Sequence, residues 1–386
     1  FCHSKIGFGE TFIYDLLKSL NNESDLDVTY YSGSIDKINH SDEFRYISTG
    51  YSEKFNTAIK WLIKIFSPFL RNSSNFYNIL RKKISFIILT LKVKTNIDVA
   101  YVDYATSAVL LKDYFEKKGI PYIVHVHGYD VTSSLNTPGY THDLLTVFDK
   151  AKYIITPSMH IGRLIKTLGC PPEKVKPIYP LTNIENIEEP SWQSRKNSLP
   201  EVTFLGRFTH KKNPIALIYA FSLVAREIPE IRFNLLGDGP LMPDVRTLVS
   251  KLNLEDKINI TGVVNREIGF KYLQQSWVYA QHSVTSLLGD QEGFPVSLAE
   301  AAAHALPLVS TIHSGITENI INGETGFLVQ EYDYETMAEK IIYLIENPDI
   351  AEQMGKAGRK HILNICTPGK RVQNIKDLLF EVSTEK

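Results

Sequence analysis

Two glutamates, Glu292 and Glu300, stand eight positions apart in the stretch GDQEGFPVSLAEAAAHALPLV (residues 289–309). The glycine and proline after Glu292 predict a loop, and the segment from Val296 onward predicts a helix with Glu300 about one turn inside it. The first amides of a helix have no intrahelical acceptor, so the N–H groups of Val296 and Ser297 can bind an anion. The helix dipole accounts for an acidic residue before the helix but not for a second one within it. The pair therefore predicts a ligand with hydroxyl groups beside phosphate, such as a sugar and a ribose that flank a diphosphate.

A basic pair lies in the stretch LGRFTHKKN, directly after an apolar run. Arg207 stands at the end of the predicted strand, and Lys212 follows five residues later, just before a helix start at Pro214. A guanidinium and an ammonium group can hold a diphosphate through charge-assisted hydrogen bonds. Basic residues in loops are commonly only solvated, but the position at the carboxyl end of a strand favours a binding role here.

A pair of histidines lies in HVHGYD, at the end of another apolar run. Alternation places His125 and His127 on one face of a strand, and Gly128 predicts a sharp turn that exposes His127. The alternatives are a polar strand end capped by a turn, or a metal-binding pair, and no Cys/His cluster nearby supports metal. Asp25 and Asp27 form an Asp-x-Asp pattern, which we interpret as a solvated turn. We therefore predict neither a metal site nor a cofactor.

Two glycines, Gly7 and Gly9, precede a predicted helix in KIGFGETF. A turn without side chains lets an anion approach the helix N-terminus, although plain turn formation explains the glycines equally well. Phe12 stands where the G-x-G-x-x-G fingerprint requires glycine, and the chain has no Walker A sequence. A nicotinamide-dependent oxidoreductase is therefore disfavoured.

These residues require regular elements to position them. A helix is predicted in ETFIYDLLKSL, a strand in DVTYYSG and a helix in the C-terminal stretch TPGKRVQNIKDLLFEVSTEK. Further strands are predicted at residues 98–104, 121–128, 153–158, 175–180, 201–207, 232–240, 258–264, 278–283, 307–311 and 325–330. Strands that are apolar at nearly every position and alternate with helices are typical of parallel sheets covered on both faces.

The polar, aperiodic stretch 182–199 predicts an interdomain linker. The predicted fold class is α/β, with two Rossmann-like, doubly wound domains that face each other across a cleft. The predicted boundaries are an N-terminal acceptor-side domain at 1–183, a linker at 184–199, a C-terminal nucleotide-sugar-binding domain at 200–365, and a final helix at 366–386 that can pack back on the N-terminal domain.

Composition excludes some classes of protein. The chain has 386 residues, 43% of them hydrophobic, and a net charge of -1, so neither disorder nor a nucleic-acid partner is indicated. Three scattered cysteines suit a reducing compartment. The apolar run at residues 84–91 is shorter than the roughly 20 residues that span a bilayer, and no signal-peptide pattern precedes it. We expect a cytoplasmic protein, and the initial Phe1 suggests that the start of the first strand is missing.

Taken in order, the motifs resemble those of the family 4 glycosyltransferases, which have the GT-B fold. The resemblance covers most of the chain and rests on VHGYD, FLGRFTHKKNP, LLGDGP, ITG and EGFPVSLAEA. It implies retaining transfer of a sugar, of the hexosyltransferase type, from a nucleotide-sugar donor to an acceptor hydroxyl, in the synthesis of a cell-surface polysaccharide or glycolipid.

The resemblance also implies roles for individual residues. Arg207 and Lys212 would bind the donor diphosphate and stabilise the leaving group, Glu292 would bind donor-sugar hydroxyls and Glu300 those of the ribose. His127 would lie near the donor sugar. The remaining donor-binding positions would be Gly7, Gly9, Gly206, Gly293, Phe294, Pro295, Val296 and Ser297. Pro295 replaces a glycine found in many members, which leaves the sugar preference open.

A basic and aromatic stretch extends from Lys54 to Lys94, with nine Lys or Arg residues and no Asp or Glu. Such a composition is typical of a helix on an anionic membrane surface, and equally of a buried helix with a solvated basic edge. Membrane contact would suit a glycan or lipid-linked acceptor and a peripheral location on the inner face of the plasma membrane. Two other functions stay open from the sequence: a nucleotide-sugar epimerase of the same fold, and a non-catalytic subunit that binds a nucleotide sugar.

Overall fold

The computed structural model describes residues 1, 11–32, 45–48, 90, 93, 96–180, 184, 186–366 and 368–385. The chain divides into two compact units. The first comprises Phe1–Pro157, Gly162–Ile178 and Val372–Lys386, and the second comprises Ser158–Ile161 and Tyr179–Arg371.

The first unit contains two parallel sheets among its described residues. Strands β1 (Thr29–Ser32) and β2 (Arg45–Ser48) pair with each other. The larger sheet has the order β3-β4-β5-β6, formed by β3 (Ala100–Asp103), β4 (Tyr122–His125), β5 (Tyr153–Thr156) and β6 (Val175–Pro177). The strands predicted in this region are confirmed, whereas β2 was missed because its four residues, RYIS, show no apolar run.

Helices connect and cover these strands. They are α1 (Thr11–Asn21), which confirms the predicted N-terminal helix, α2 (Ala105–Lys118), α3 (Tyr140–Lys150) and α4 (Met159–Thr167). Leu16 and Leu20 of α1 pack with Ile123 and Ile155 of the sheet, which explains the apolar spacing in the helix.

The second unit is built on a six-stranded parallel sheet of order β12-β11-β10-β7-β8-β9. All six strands were predicted, and they are β7 (Glu201–Leu205), β8 (Arg232–Leu236), β9 (Ile258–Gly262), β10 (Val278–Gln281), β11 (Leu308–Thr311) and β12 (Gly326–Val329). The strand order changes direction between β7 and β10, since β8 lies on one side of β7 and β10 on the other. In open α/β sheets, ligands bind beyond the carboxyl ends of the strands at such a switch point.

Eight helices of the described residues belong to this unit. They are α5 (Trp192–Lys196), α6 (Pro214–Glu227), α7 (Met242–Lys251), α8 (Arg266–Gln275), α9 (Val296–Ala303), α10 (Ile316–Asn319), α11 (Tyr334–Glu346) and α12 (Pro348–Ile365). Helix α9 begins where the sequence predicted, directly after the Gly-Phe-Pro loop.

Part of the predicted linker is structured. Residues 192–196 form α5, and Trp192 and Arg195 are buried at 3% and 2% exposure. The Arg195 guanidinium donates to four backbone carbonyls near the ends of α8 and α9, those of Leu273, Gln274, His304 and Ala305. The sequence did not predict this helix, because the stretch is polar and aperiodic. The side chains of Trp192 and Arg195 donate hydrogen bonds to residues that are distant in sequence.

The last helix is α13 (Pro368–Thr384), and from Val372 onward it belongs to the first unit. Its residues Ile375 and Leu379 join the cluster that contains Ile123. Lys376 forms an ion pair with Asp25 at 2.8 Å, so this carboxylate of the Asp-x-Asp pattern contacts a helix of its own unit.

No helix in the described part of the chain combines the length and the apolar character needed to cross a bilayer.

Candidate functional site

The loop after β7 carries Gly206 and Arg207 and is held by the turn after β8. Gly206 N–H donates to the Leu236 carbonyl at 2.9 Å. Gly237 has φ +138°, and a Cβ at this position would overlap the carbonyl oxygen of Gly206. The two loops therefore approach closely only because residue 237 is glycine. Arg207 itself is exposed, so its guanidinium is accessible to a ligand.

Lys212 and Glu292 form an ion pair, with Nζ and Oε1 3.0 Å apart and side chains exposed by 14% and 8%. Burial lowers the pKa of Lys212, and Glu292 opposes this shift without cancelling it. Burial raises the pKa of Glu292, but the charges of Lys212 and Lys211 outweigh burial and bring the pKa to about 2. Glu292 is therefore ionised at neutral pH.

Gln281, at the end of β10, connects the parts of the site. Its Oε1 accepts from Lys212 Nζ at 3.3 Å and from Ser297 Oγ at 3.2 Å. Its Nε2 donates to Ser283 Oγ at 2.8 Å, and Ser283 Oγ donates to Glu292 Oε1 at 3.2 Å. Sequence reasoning missed Gln281 and Ser283. The signal was present, because polar residues at alternate positions of a buried strand lie on one face.

The loop from Gly293 to Pro295 precedes α9, and its conformation is restricted by packing. Phe294 is buried, and its ring centroid lies 5.2 Å from that of Tyr179. A Cβ on Gly315 would overlap the Gly293 carbonyl oxygen, so the following loop packs directly on this backbone. Pro295 is the N-cap residue of α9. The amides of Val296 and Ser297 are thus the first of the helix, where intrahelical acceptors are lacking.

Glu300 lies inside α9 and is buried at 6% exposure. It forms its own ion pair, with Arg266 Nη2 at 3.0 Å from Oε1. Arg266 is the first residue of α8 and was not predicted as a site residue. Each of the two buried carboxylates is therefore paired with a cation from another segment. Lys212, in the loop after β7, pairs with Glu292, and Arg266, at the start of α8, pairs with Glu300.

His127 lies in the first unit and is less accessible than predicted. The turn at Gly128 is present, with φ 89°, but the His127 side chain is only 8% exposed. The prediction of an exposed His127 is therefore wrong, because the rings of Phe12 and Tyr104 pack on it with centroids 5.0 and 4.4 Å away. Its Nε2 lies 3.3 Å from Asp103 Oδ1.

Asp103, His125 and His127 bring three potential metal ligands within 4.8 Å of one another. Asp103 comes from the neighbouring strand β3, which sequence reasoning overlooked because it considered only cysteine and histidine. Burial raises the pKa of Asp103, but hydrogen bonds to the two histidines outweigh it and hold the pKa well below its ordinary value. Tyr101 Oη lies 2.8 Å from His125 Nδ1, so hydrogen bonds already connect this cluster.

Some predicted residues lie outside the described part of the chain. Gly7 and Gly9 are among them, as is nearly all of the basic stretch from Lys54 to Lys94.

Two family models match the chain. The model described as glycosyl transferases group 1 matches residues 186–361, and the model described as Glycosyltransferase Family 4 matches residues 9–186. The chain belongs to the family 4 glycosyltransferases.

Relatives within this family have names from polysaccharide synthesis. The putative colanic acid biosynthesis glycosyltransferase WcaL of Salmonella typhimurium is 32% identical over 220 residues, which cover 56% of this chain and 53% of that protein. The amylovoran biosynthesis glycosyltransferase AmsK of Erwinia amylovora is 27% identical, with 56% of this chain and 53% of that protein covered. The chain thus spans about half the length of the curated relatives it matches.

Solved structures confirm the GT-B fold expected of a family 4 glycosyltransferase. HepE of Anabaena, in complex with UDP and glucose, is similar with a TM-score of 0.74 and 15% identity, and the match covers 98% of each chain. Sucrose-phosphate synthase of Thermosynechococcus elongatus is similar with a TM-score of 0.76 and 16% identity, over 100% of this chain and 99% of that chain. At these identities the similarity establishes the fold alone.

Proposed function

We propose that this protein is a retaining glycosyltransferase. It moves a sugar from a nucleotide-sugar donor to an acceptor hydroxyl during synthesis of a cell-surface polysaccharide or glycolipid. The observation that carries the proposal is the buried Lys212–Glu292 pair, which lies at the carboxyl ends of β7 and β10 beside the first turn of α9. Relatives named for colanic acid and amylovoran biosynthesis support the proposed role in polysaccharide synthesis.

The two cations stabilise the departing nucleotide. When the bond between sugar and diphosphate breaks, negative charge grows on the phosphate oxygens, and preplaced cations lower the energy of that transition state. Lys212 is fixed by Glu292 and Gln281 before the donor binds. Arg207 is exposed and can close on the phosphate as it arrives.

The two carboxylates bind hydroxyl groups of the donor. Glu292 stays ionised, with a pKa of about 2, so both of its oxygens act as hydrogen-bond acceptors at neutral pH. We assign the donor sugar to Glu292 and the ribose to Glu300. The amides at the start of α9 bind the phosphate, as helix N-termini commonly do.

The family resemblance implies that no protein nucleophile takes part and that a phosphate oxygen of the leaving group takes the acceptor proton. We assign His127 to the donor sugar, with its ring held by Asp103.

A thermal-shift screen tests the donor assignment. Purified protein is melted with UDP, GDP, ADP and their common sugar conjugates, because a ligand that binds only the folded protein at 100 times its Kd stabilises it by about 2.7 kcal/mol. We expect one nucleotide series to raise the melting temperature. The shift should disappear in Glu300→Ala but persist in Glu339→Ala, an exposed position on α11. No shift with any nucleotide would contradict the proposal.

The product distinguishes this function from an epimerase. We expect nucleotide release to require an acceptor and the transferred sugar to keep its anomeric configuration, as read by NMR of the product. Release of nucleotide without any acceptor would indicate an epimerase instead.

We propose further that transfer needs no metal ion, because Lys212 and Arg207 supply the positive charge. Activity should therefore persist in excess EDTA. If EDTA abolishes activity and Mg²⁺ or Mn²⁺ restores it, the Asp103, His125 and His127 cluster becomes the first candidate site.

A further inference from the structure

We infer that His313 and Glu331 are positioning residues that hold Glu292 in its donor-binding conformation, an assignment that rests on the proposed function. Neither residue was predicted from the sequence, and neither belongs to the motifs that carry the family resemblance.

The Glu292 backbone is held on both sides by the loop after β11. Its N–H donates to His313 Nε2 at 3.1 Å, and its carbonyl accepts from the Ser314 hydroxyl. The His313 side chain is only 1% exposed, so water does not compete for these bonds. The backbone on either side of the carboxylate is thereby fixed by groups outside its own loop.

The hydrogen bonds determine the tautomer of His313. A backbone N–H can only donate, so Nε2 must be the acceptor and the ring proton must be on Nδ1. Nδ1 lies 2.6 Å from Glu331 Oε1 and donates to it. Glu331 thus selects the one tautomer of His313 that can accept from Glu292.

Glu331 also holds the other end of the same loop. Its Oε2 accepts from the Thr285 N–H at 2.9 Å, and Oε1 lies 3.4 Å from Thr285 Oγ1. The loop between β10 and α9 is therefore tied to Glu331 directly at Thr285 and through His313 at Glu292. These contacts hold residues 285–292 although they form neither helix nor strand.

The position of Glu292 matters because its carboxylate must meet both Lys212 and the donor. A displacement of about 1 Å at a reacting centre can reduce the rate by about 100-fold. The His313 ring contacts Glu292 at its backbone N–H, so it positions the carboxylate through the Glu292 backbone.

The test compares His313→Gln with His313→Phe. Glutamine can accept from the Glu292 N–H and donate to Glu331, whereas phenylalanine fills the space with no acceptor. Amide hydrogen exchange at residues 290–295, measured without ligand, should accelerate at least 10-fold in His313→Phe and stay near the wild-type rate in His313→Gln. His361→Phe on α12, whose ring nitrogen contacts the Glu318 carbonyl, is the matched control and should leave this exchange unchanged.

Kinetics connects the exchange result to the donor. With the conjugate that the thermal-shift screen identifies, His313→Phe should lower kcat/KM for the donor by about 10- to 100-fold, and His313→Gln should recover most of it. Added to Glu292→Ala, His313→Phe should cause little further loss, because both changes remove the same interaction.

Each outcome has a distinct meaning. Wild-type exchange and kinetics in His313→Phe, or an additive loss in the double variant, would overturn the positioning role. Wild-type activity in Glu292→Ala would instead overturn the proposed function of Glu292, while the exchange data would still report whether His313 holds the loop.

Discussion

At the scale of single residues, the Lys212–Glu292 pair dominates the site. Both side chains are largely buried, and each would be costly to bury without the other. Gln281 accepts from Lys212 and, through Ser283, is connected to Glu292. The charges are thus fixed before any ligand arrives, which is the arrangement that electrostatic catalysis requires.

We predict that Lys212→Ala and Glu292→Ala each reduce the rate of transfer by about 100- to 1000-fold, because each removes a charge that meets the donor. Initial rates with the identified donor check this. Lys196→Ala, which removes a lysine paired with Asp349 and Glu352, is the control and should be nearly as active as wild type.

Folding must be separated from chemistry in these variants. Removal of one partner of a buried ion pair costs about 3–5 kcal/mol, whereas replacement of both by apolar residues can be nearly neutral. The double variant Lys212→Met/Glu292→Met should therefore melt near the wild-type temperature and stay inactive. Wild-type rates in any of the three variants would exclude the assigned site.

The pKa of Glu292 predicts a pH dependence of stability. Its folded pKa of about 2 lies below the ordinary 4.5, so the stabilisation by the ionised carboxylate is complete above pH 4.5 and is lost as the pH falls through 2. The difference in free energy of unfolding between wild type and Glu292→Gln should be constant from pH 7 to 4.5 and shrink below it. Urea titrations at several pH values measure it, and a difference independent of pH down to 2 would contradict the pKa.

At the scale of elements, the loops at the carboxyl ends of the strands position the site. The loop after β7 packs on the turn after β8 at Gly206 and Gly237, and Asn213 caps α6 by accepting from the Ala216 N–H at 3.3 Å. In sequence, Lys212 lies between Gly206, which packs on Gly237, and the capping residue Asn213. Its position is therefore determined by backbone packing as well as by its ion pair.

We predict that Gly237→Ala impairs both stability and transfer. The added Cβ would overlap the Gly206 carbonyl oxygen, so the loop that carries Arg207 must move. Gly323→Ala is the control, because Gly323 also has positive φ, +82°, but its Cβ would meet no atom within 4 Å. Both variants bear a backbone penalty for a positive φ, roughly 1–2 kcal/mol in the left-handed region, and only Gly237→Ala should lose activity. Equal melting temperatures and rates in the two variants would rule out the close contact.

A second element-scale prediction concerns α5. Arg195→Met should destabilise the protein by about 3 kcal/mol, because four carbonyls lose a charged donor in a buried place. Urea unfolding followed by tryptophan fluorescence is a suitable measurement, since Trp192 lies beside Arg195 and is buried. The neighbouring Lys196→Met should change stability by less than about 1 kcal/mol. A smaller effect at Arg195 than at Lys196 would show that α5 is not held in this way.

At the scale of the whole molecule, each unit has its own parallel strands and core, and most of the C-terminal helix α13 belongs to the first unit. The chain therefore leaves the first unit and comes back to it. His127 belongs to the first unit, whereas Lys212 and Glu292 belong to the second.

We also propose peripheral membrane contact through the basic stretch from Lys54 to Lys94. The protein should co-sediment with vesicles that contain anionic lipid and not with neutral vesicles, since each basic residue near an anionic surface contributes about 1 kcal/mol. Replacement of Lys60 and Lys64 by glutamate should reduce binding, and higher salt should weaken it. Equal binding to both kinds of vesicle, or none to either, would exclude this role.

The sequence alone located every described strand except β2. Buried parallel strands are nearly continuous apolar runs, so β7 to β12 could be located without a structure. The glycine-proline loop before α9 likewise showed where Glu292 stands relative to the helix.

The tertiary structure alone decided which partners these residues meet. Arg266 contacts Glu300, His313 contacts Glu292, and Glu331 contacts Thr285, and each pair is too far apart in sequence for a local pattern to predict the contact. The low exposure of the His127 side chain and the burial of Arg195 were missed for the same reason, because exposure depends on what other segments pack against a side chain. Local periodicity follows from backbone geometry, which every segment has by itself, whereas hydrogen bonds and ion pairs between loops exist only once the sheet has brought their strand ends together.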